Sequence, residues 1–217
     1  MEDVLEVYAR PYDPQFPVLC MDESSIQLIG EVQEPIPAVP GQPVLVDDEY
    51  VRKGVANIFV EIEPLGGKRE VKITERRTQL DWAYFIQEML EERYADATKV
   101  VLIMDNLNTH SIASLYLAFS PEKARNLANR LEIHYTPKHG SWLNVAEIEL
   151  SALKRQCLSV RIDCIEKMRK KVMAWNSDRN SRQTKVDWQF KSADARIRLK
   201  RLYPKYELYN VLVGRRA

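Results

Sequence analysis

Two of the clearest apolar runs in the chain each end in an aspartate. Pro17-Val18-Leu19-Cys20-Met21 runs into Asp22, and Lys99-Val100-Val101-Leu102-Ile103-Met104 runs into Asp105. Catalytic and ligand-binding groups gather at strand ends along one edge of an α/β sheet, outside the core yet held by rigid elements. If the two strands are neighbours, the carboxylates repel, and ionisation of both is favoured only by a cation between them. A thiol-free oxygen donor set suits Mg²⁺, with Mn²⁺ as a substitute. Taken alone, either aspartate reads better as a turn former.

Glu147 supplies the third acid. Asn144 is a good N-cap, Val145 and Ala146 are then the first helical positions, and Glu147 falls at the third. This Asn-x-x-Glu arrangement is a variant capping box, which alone would explain the glutamate. The same geometry aims a carboxylate from the first helical turn toward whatever the preceding loop faces. Two strand-end aspartates and one helix-borne glutamate can hold two metal ions about 3.5–4 Å apart for in-line phosphoryl transfer. Glu149 lies about 200° around the helix from Glu147 and is the fallback ligand. His110, five positions after Asp105, either orients a phosphate or water or simply starts a helix. His134 in a strand and His139 in a loop show no metal-ligand spacing, so no zinc site is assigned.

The elements that would position these acids follow from periodicity and turn chemistry. Strands are expected at 17–21, 55–63, 70–74, 99–104 and 131–135, with Gly66-Gly67 turning the second into the third. Pro35, Pro37, Pro40 and Pro43 mark a surface loop. Helices are expected over 78–94, with Thr78 and Asp81 as a capping box, over 111–119, from Pro121 to Arg130, and from Asn144 to about Val160. Beyond that the chain reads as basic helix, broken near Asn176–Ser181 and stopped by Pro204. This order predicts an α/β fold, a mixed sheet flanked by helices with the element order of the ribonuclease-H-like fold. The expected division is a catalytic core over 1–160 and a basic helical extension over 161–217 packed on it.

Composition narrows the class without naming it. The chain has 217 residues and a net charge of +1, so overall charge says nothing about nucleic acid. Its distribution says more, because Arg10 is the one basic residue in 1–50, whereas the half from 151 onward is rich in Lys and Arg. A polyanion would be drawn to that half, although solvated helix faces give the same pattern. No apolar run approaches a membrane span, and the acidic start is unlike a secretory signal. Three sparse cysteines without CxxC spacing argue against a disulfide framework and for a reducing, cytoplasmic setting.

Three segments together resemble a known family. MDES at 21–24, MDNLNTH at 104–110 and YTPKHGSWLNVAE at 135–147 resemble the signature blocks of the mariner transposase superfamily, in particular its bacterial insertion-sequence branch. The resemblance spans roughly residues 15–200. Val145 stands where that family usually has proline, a position valine can occupy. The interval from Asp105 to Glu147 is also longer than usual, with the helical stretch around Ser120–Arg130 able to hold the surplus. Members carry an N-terminal helix-turn-helix region for recognising element ends. This sequence begins almost at the first catalytic strand, so end recognition by this chain alone is not expected.

The resemblance implies a ribonuclease-H-like fold, a DDE triad of Asp22, Asp105 and Glu147, two Mg²⁺ ions and cut-and-paste DNA transposition. Water would attack a phosphodiester at the transposon end, and the freed 3′-hydroxyl would then attack target DNA, with no covalent protein–DNA intermediate. It also implies a homodimer on DNA in a bacterial, nucleoid-associated setting. Lys154 and Arg155, one or two turns beyond Glu147, are placed to hold phosphates by charge. Lys138 and Trp142 are candidate DNA contacts, with Trp142 able to stack on a base or, slightly favoured, to anchor its own loop. Asn106 and His110 are auxiliary candidates. Two alternatives remain at this point: a nuclease of the same fold without strand transfer, and an inactive DNA-binding remnant.

Overall fold

The computed structural model describes residues 1–107 and 110–203. Asn108 and Thr109, inside the second block, and Pro204, expected to stop the last helix, lie outside the described residues. Five strands form one mixed sheet: β1 (Val18–Glu31), β2 (Tyr50–Glu63), β3 (Lys68–Thr74), β4 (Val100–Met104) and β5 (Leu131–Tyr135). The order is β3-β2-β1-β4-β5. The first three strands pair antiparallel and form a meander, while β4 and β5 add in parallel on the far side of β1. Every residue of β4 is buried, as its unbroken β-branched run requires of a strand covered on both faces.

Helices cover the two faces, each over its own core. On one, α2 (Gln79–Glu88), α3 (Ile112–Ala118) and α4 (Pro121–Asn129) lie over Leu19, Met21, Phe59, Leu102 and Met104. On the other, α1 (Glu2–Tyr8), α5 (Val145–Gln156), α6 (Ile165–Ser181) and α7 (Ser192–Arg198) enclose Cys20, Ile58, Val60, Val101 and Ile103. The expected capping box opens α2, with Thr78 Oγ1 accepting from the Asp81 amide and the Asp81 carboxylate accepting from the Thr78 amide. Such a cap contributes about 1 kcal/mol. After Glu88 the helix widens into a π-helical turn, Met89–Arg93, which ends at Tyr94 as the apolar spacing suggests.

Two expectations are corrected, and one element not expected is added. The first strand does not stop at Asp22 but continues to Glu31, because β2 pairs along its whole length even after β4 has ended. The acidic start folds as α1, a short helix burying Val4, Leu5 and Val7. Helix α6 is not broken at Asn176–Ser181 but runs through it. Asn176 and Asn180 there face β3, an edge strand. The Asn180 amide accepts from the Arg69 N–H at 2.9 Å and donates to the Arg69 carbonyl at 2.8 Å, as a neighbouring strand would. Gly67 turns β2 into β3 with φ +70°, and a Cβ there would lie 2.7 Å from the Gln183 carbonyl just beyond α6.

All three cysteines are free thiols, with Cys20 in the core. Among the described residues no helix is long and apolar enough to cross a membrane.

Candidate active site

Strand alternation decides where the two aspartates point. Successive side chains on a strand face opposite sides. Leu19 and Met21 face the α2 side and Cys20 the α5 side, so Asp22 continues the α5 side. On β4, Leu102 and Met104 share the α2 side while Ile103 shares the other, and Asp105 follows Ile103 by the same parity. The parallel register pairs Cys20 with Ile103, and two residues further along both chains bring Asp22 level with Asp105. Asp22 is thus mid-strand in β1 yet just past the last rung it shares with β4. Helix α5 packs on the same face through Val145, Ala146, Leu150 and Leu153, which brings Glu147 in its first turn to the site.

Electrostatics show that these acids sense one another. Burial first, then the charges of Asp105 and Glu147, push the Asp22 carboxyl up to about 6, against its bond from the Glu23 amide and the charge of His110. Among the described residues no Lys or Arg forms an ion pair with Asp22 or Glu147, although most acids around them are paired. As the side chains stand, no three His, Cys, Asp or Glu groups among the described residues converge on one point. The donor set nevertheless fits a hard divalent cation: three carboxylates, no thiolate, and a mutual repulsion that the cationic His110 imidazole on Asp105 offsets only in part. Asp22, Asp105 and Glu147 are each part-exposed, so solvent reaches them.

Asp105 is turned toward His110. The imidazole Nδ1 lies 2.6 Å from Asp105 Oδ1, and Nε2 lies 3.4 Å from Glu23 Oε1 on the other side. Burial lowers the affinity of the ring for a proton, but its bond to Asp105 and the nearby Glu23 carboxylate outweigh this and raise it to about 9. At 1% exposure His110 has no surface for a phosphate, so that expectation is corrected: its partners are carboxylates. Glu149, the fallback ligand, is also corrected. It is buried and sits 2.6 Å from the Arg179 guanidinium and 3.4 Å from that of Arg69. The expected capping box at α5 is incomplete as well. Asn144 Oδ1 caps the Ala146 amide at 3.1 Å, while its Nδ2 donates to the Met21 carbonyl.

The basic candidates flank the acids. Exposed Lys154 and Arg155 share a groove with Asp22, Ser24 and Glu147. Exposed Lys138 and Asn106 line a second groove with Asp105 and Thr136. Trp142 is held by aromatic contacts with Trp188, centroids 6.4 Å apart, and with Phe190 at 5.8 Å. It therefore anchors its loop to the segment after α6, while 42% of it stays exposed.

The sequence matches the family model described as DDE superfamily endonuclease over residues 17–169, a span containing Asp22, Asp105 and Glu147. The chain belongs to the DDE superfamily endonucleases. Among solved structures this DDE endonuclease is similar to the Mos1 mariner paired-end complex with Mn, at 17% identity and a TM-score of 0.55. That match covers 84% of this chain and 55% of the other. It is similar to the Mos1 strand transfer complex at 17% identity, TM-score 0.55, over 84% and 54% of the two chains. It also matches the Mos1 paired-end complex with Mg at 15% identity, TM-score 0.52, over 86% and 56%. At such identities the likeness establishes the ribonuclease-H-like fold, and the chain spans little more than half the length of those proteins. No curated protein matches the sequence.

Several residues around the DDE endonuclease site escape a reading of sequence motifs. Glu23 follows Asp22 but points to the opposite face, where its side chain is 1% exposed. Trp82, on α2, stacks on His110 with centroids 6.1 Å apart. Tyr135, at the end of β5, donates its hydroxyl to the His110 carbonyl. The one signal in the sequence was parity: an acid next to Asp22 on a strand must face the core beneath α2.

Proposed function

We propose that this chain is the catalytic domain of a DNA transposase that cleaves DNA strands and joins them to a target. The observation that carries the reading is the gathering of Asp22, Asp105 and Glu147 on one face of the sheet, where the charges of the other two raise the Asp22 carboxyl and, among the described residues, no Lys or Arg pairs with Asp22 or Glu147. These three residues would hold two Mg²⁺ ions, which Mn²⁺ could replace. When bound, the ions supply charge neutralisation and Lewis-acid activation for in-line phosphoryl transfer. The protein's part is to fix the acids on β1, β4 and α5 and to align the DNA backbone. Lys154 and Arg155 hold phosphates on one side of the acids and Lys138 on the other, with Asn106 beside Asp105 and the exposed face of Trp142 toward a base.

The motif blocks and the Mos1 likeness favour the mariner superfamily, and the motif blocks alone suggest its bacterial insertion-sequence branch. On that reading the partners are transposon ends and target DNA, the working form is a homodimer on DNA, and the setting is the bacterial cytoplasm at the nucleoid. Residues 1–160 are then the catalytic core and 161–217 a basic extension docked on it. The family description, an endonuclease, keeps open a second reading in which strands are hydrolysed but never joined. An assay with a pre-cut end, a target duplex and Mn²⁺ separates the two. Joined product is expected from the transposase, and its absence alongside cleavage would establish the nuclease. Asp105→Ala should abolish both activities and leave DNA binding intact; retained cleavage would overturn the site.

A further inference from the structure

We infer that His110 is a positioning residue for Asp105, wedged between it and Glu23 so that one carboxylate oxygen is held and the other is left for a cation. The inference rests on the reading of Asp105 as a metal ligand. Asp105 is the first residue after β4, where the sheet no longer constrains the chain. Among the described residues its carboxylate is held by one side chain, the imidazole at 2.6 Å.

That imidazole is fixed from every direction. Glu23 of β1 stands behind Nε2 at 3.4 Å, and Arg77 in turn stands 3.4 Å from the same Glu23 oxygen. Trp82 of α2 stacks on the ring. The His110 carbonyl accepts from Tyr135 Oη at 3.1 Å, and its amide donates to the Leu107 carbonyl at 2.9 Å. Two elements, β1 and α2, therefore meet the ring on sides other than the one that faces Asp105, and β5 holds its backbone. Glu23 cannot share Asp22's role, because parity turns it to the other face, and its burial against His110 and Arg77 gives it this one.

A metal-ligating carboxylate that is hydrogen-bonded from behind is pre-aligned, and loss of such a partner typically weakens metal affinity about 10–100-fold. The test is Mn²⁺ titration by calorimetry on the full chain and on Asp105→Asn, His110→Ala, His110→Asn and Glu23→Gln, each at a temperature where it is fully folded. Asp105→Asn should abolish the binding. His110→Ala should weaken it by roughly 10-fold or more with unchanged stoichiometry. His110→Asn should recover part of the loss, because its side-chain N–H can replace the Nδ1 donor. Glu23→Gln, nearly isosteric, should weaken binding by a smaller factor, and it carries the test should His110→Ala fail to fold. Wild-type affinity in the folded His110→Ala and Glu23→Gln variants, with binding lost in Asp105→Asn, would overturn the role of His110 and spare the metal site. Wild-type binding that survives Asp105→Asn would overturn both.

Discussion

Asn144 is bonded to Met21 across 123 positions of sequence: its Nδ2 donates to the Met21 carbonyl at 2.8 Å while its Oδ1 caps the first turn of α5. One buried amide thus ties the start of the helix that carries Glu147 to the residue before Asp22. Asn144→Ala should destabilise the protein by about 1–2 kcal/mol through the lost cap, with a further loss from the unpaired Met21 carbonyl. Asn144→Asp keeps a capping oxygen but sets a carboxylate against that carbonyl, and should also destabilise. Urea denaturation reads both. A wild-type midpoint for Asn144→Ala would mean that α5 is registered by its apolar contacts alone.

Glu149 makes the opposite case, an acid next to the site with a purely architectural task. It lies buried between Arg69 of β3 and Arg179 of α6. Glu149→Gln leaves two guanidinium groups without their counter-charge, and breaking a buried pair of this kind typically destabilises by about 3–5 kcal/mol. Mn²⁺ affinity of the folded variant should not change. A shift in that affinity would return Glu149 to the ligand set.

Mn²⁺ calorimetry on the wild type and on an Asp22→Asn, Asp105→Asn double variant tests the carboxylate cluster without any DNA. Binding in the first and none in the second is expected. Equal binding in both would place the ions elsewhere.

The α7–α1 contact gives a pH dependence. Arg196 and Tyr203 bond to the Glu2 carboxylate and hold it down at about 2, below its ordinary 4.5. A depressed carboxylate stabilises the folded state above its ordinary value and loses that contribution as pH falls toward the folded one. Acid unfolding of the wild type should therefore include a component between about pH 4.5 and 2 that Glu2→Gln lacks. Denaturation midpoints across that range, at low and high salt, would show it. Superimposable pH profiles for the two proteins would remove the contact from the stability of the fold.

Much of this architecture was legible in the residues. β4, the β2–β3 turn and the cap of α2 follow from local chemistry, and each of the three acids adjoins a strong local signal. What escaped was settled at long range. The polar stretch after Asp22 looked like a strand end, yet β2 keeps pairing with it where β4 has stopped, and there a polar side chain meets solvent rather than core. Asn176–Ser181 looked like a helix break because Asn, Ser and Asp favour turns, but their amides are used against β3. His110 reads equally as a group for a ligand or as a helix start, because nothing in its neighbourhood of sequence announces Glu23, 87 positions earlier.

The Asn180 amide on Arg69 has a consequence for solubility. An outer strand with free N–H and C=O groups is a template for another chain, and sheets that leave one open tend to grow across molecules. At Arg69 a side chain from the protein's own helix already occupies the rung that an incoming strand would need. At that rung the seal is a single neutral amide. Asn180→Leu, which packs but cannot pair, should leave the chain folded and make it prone to add strands from its neighbours.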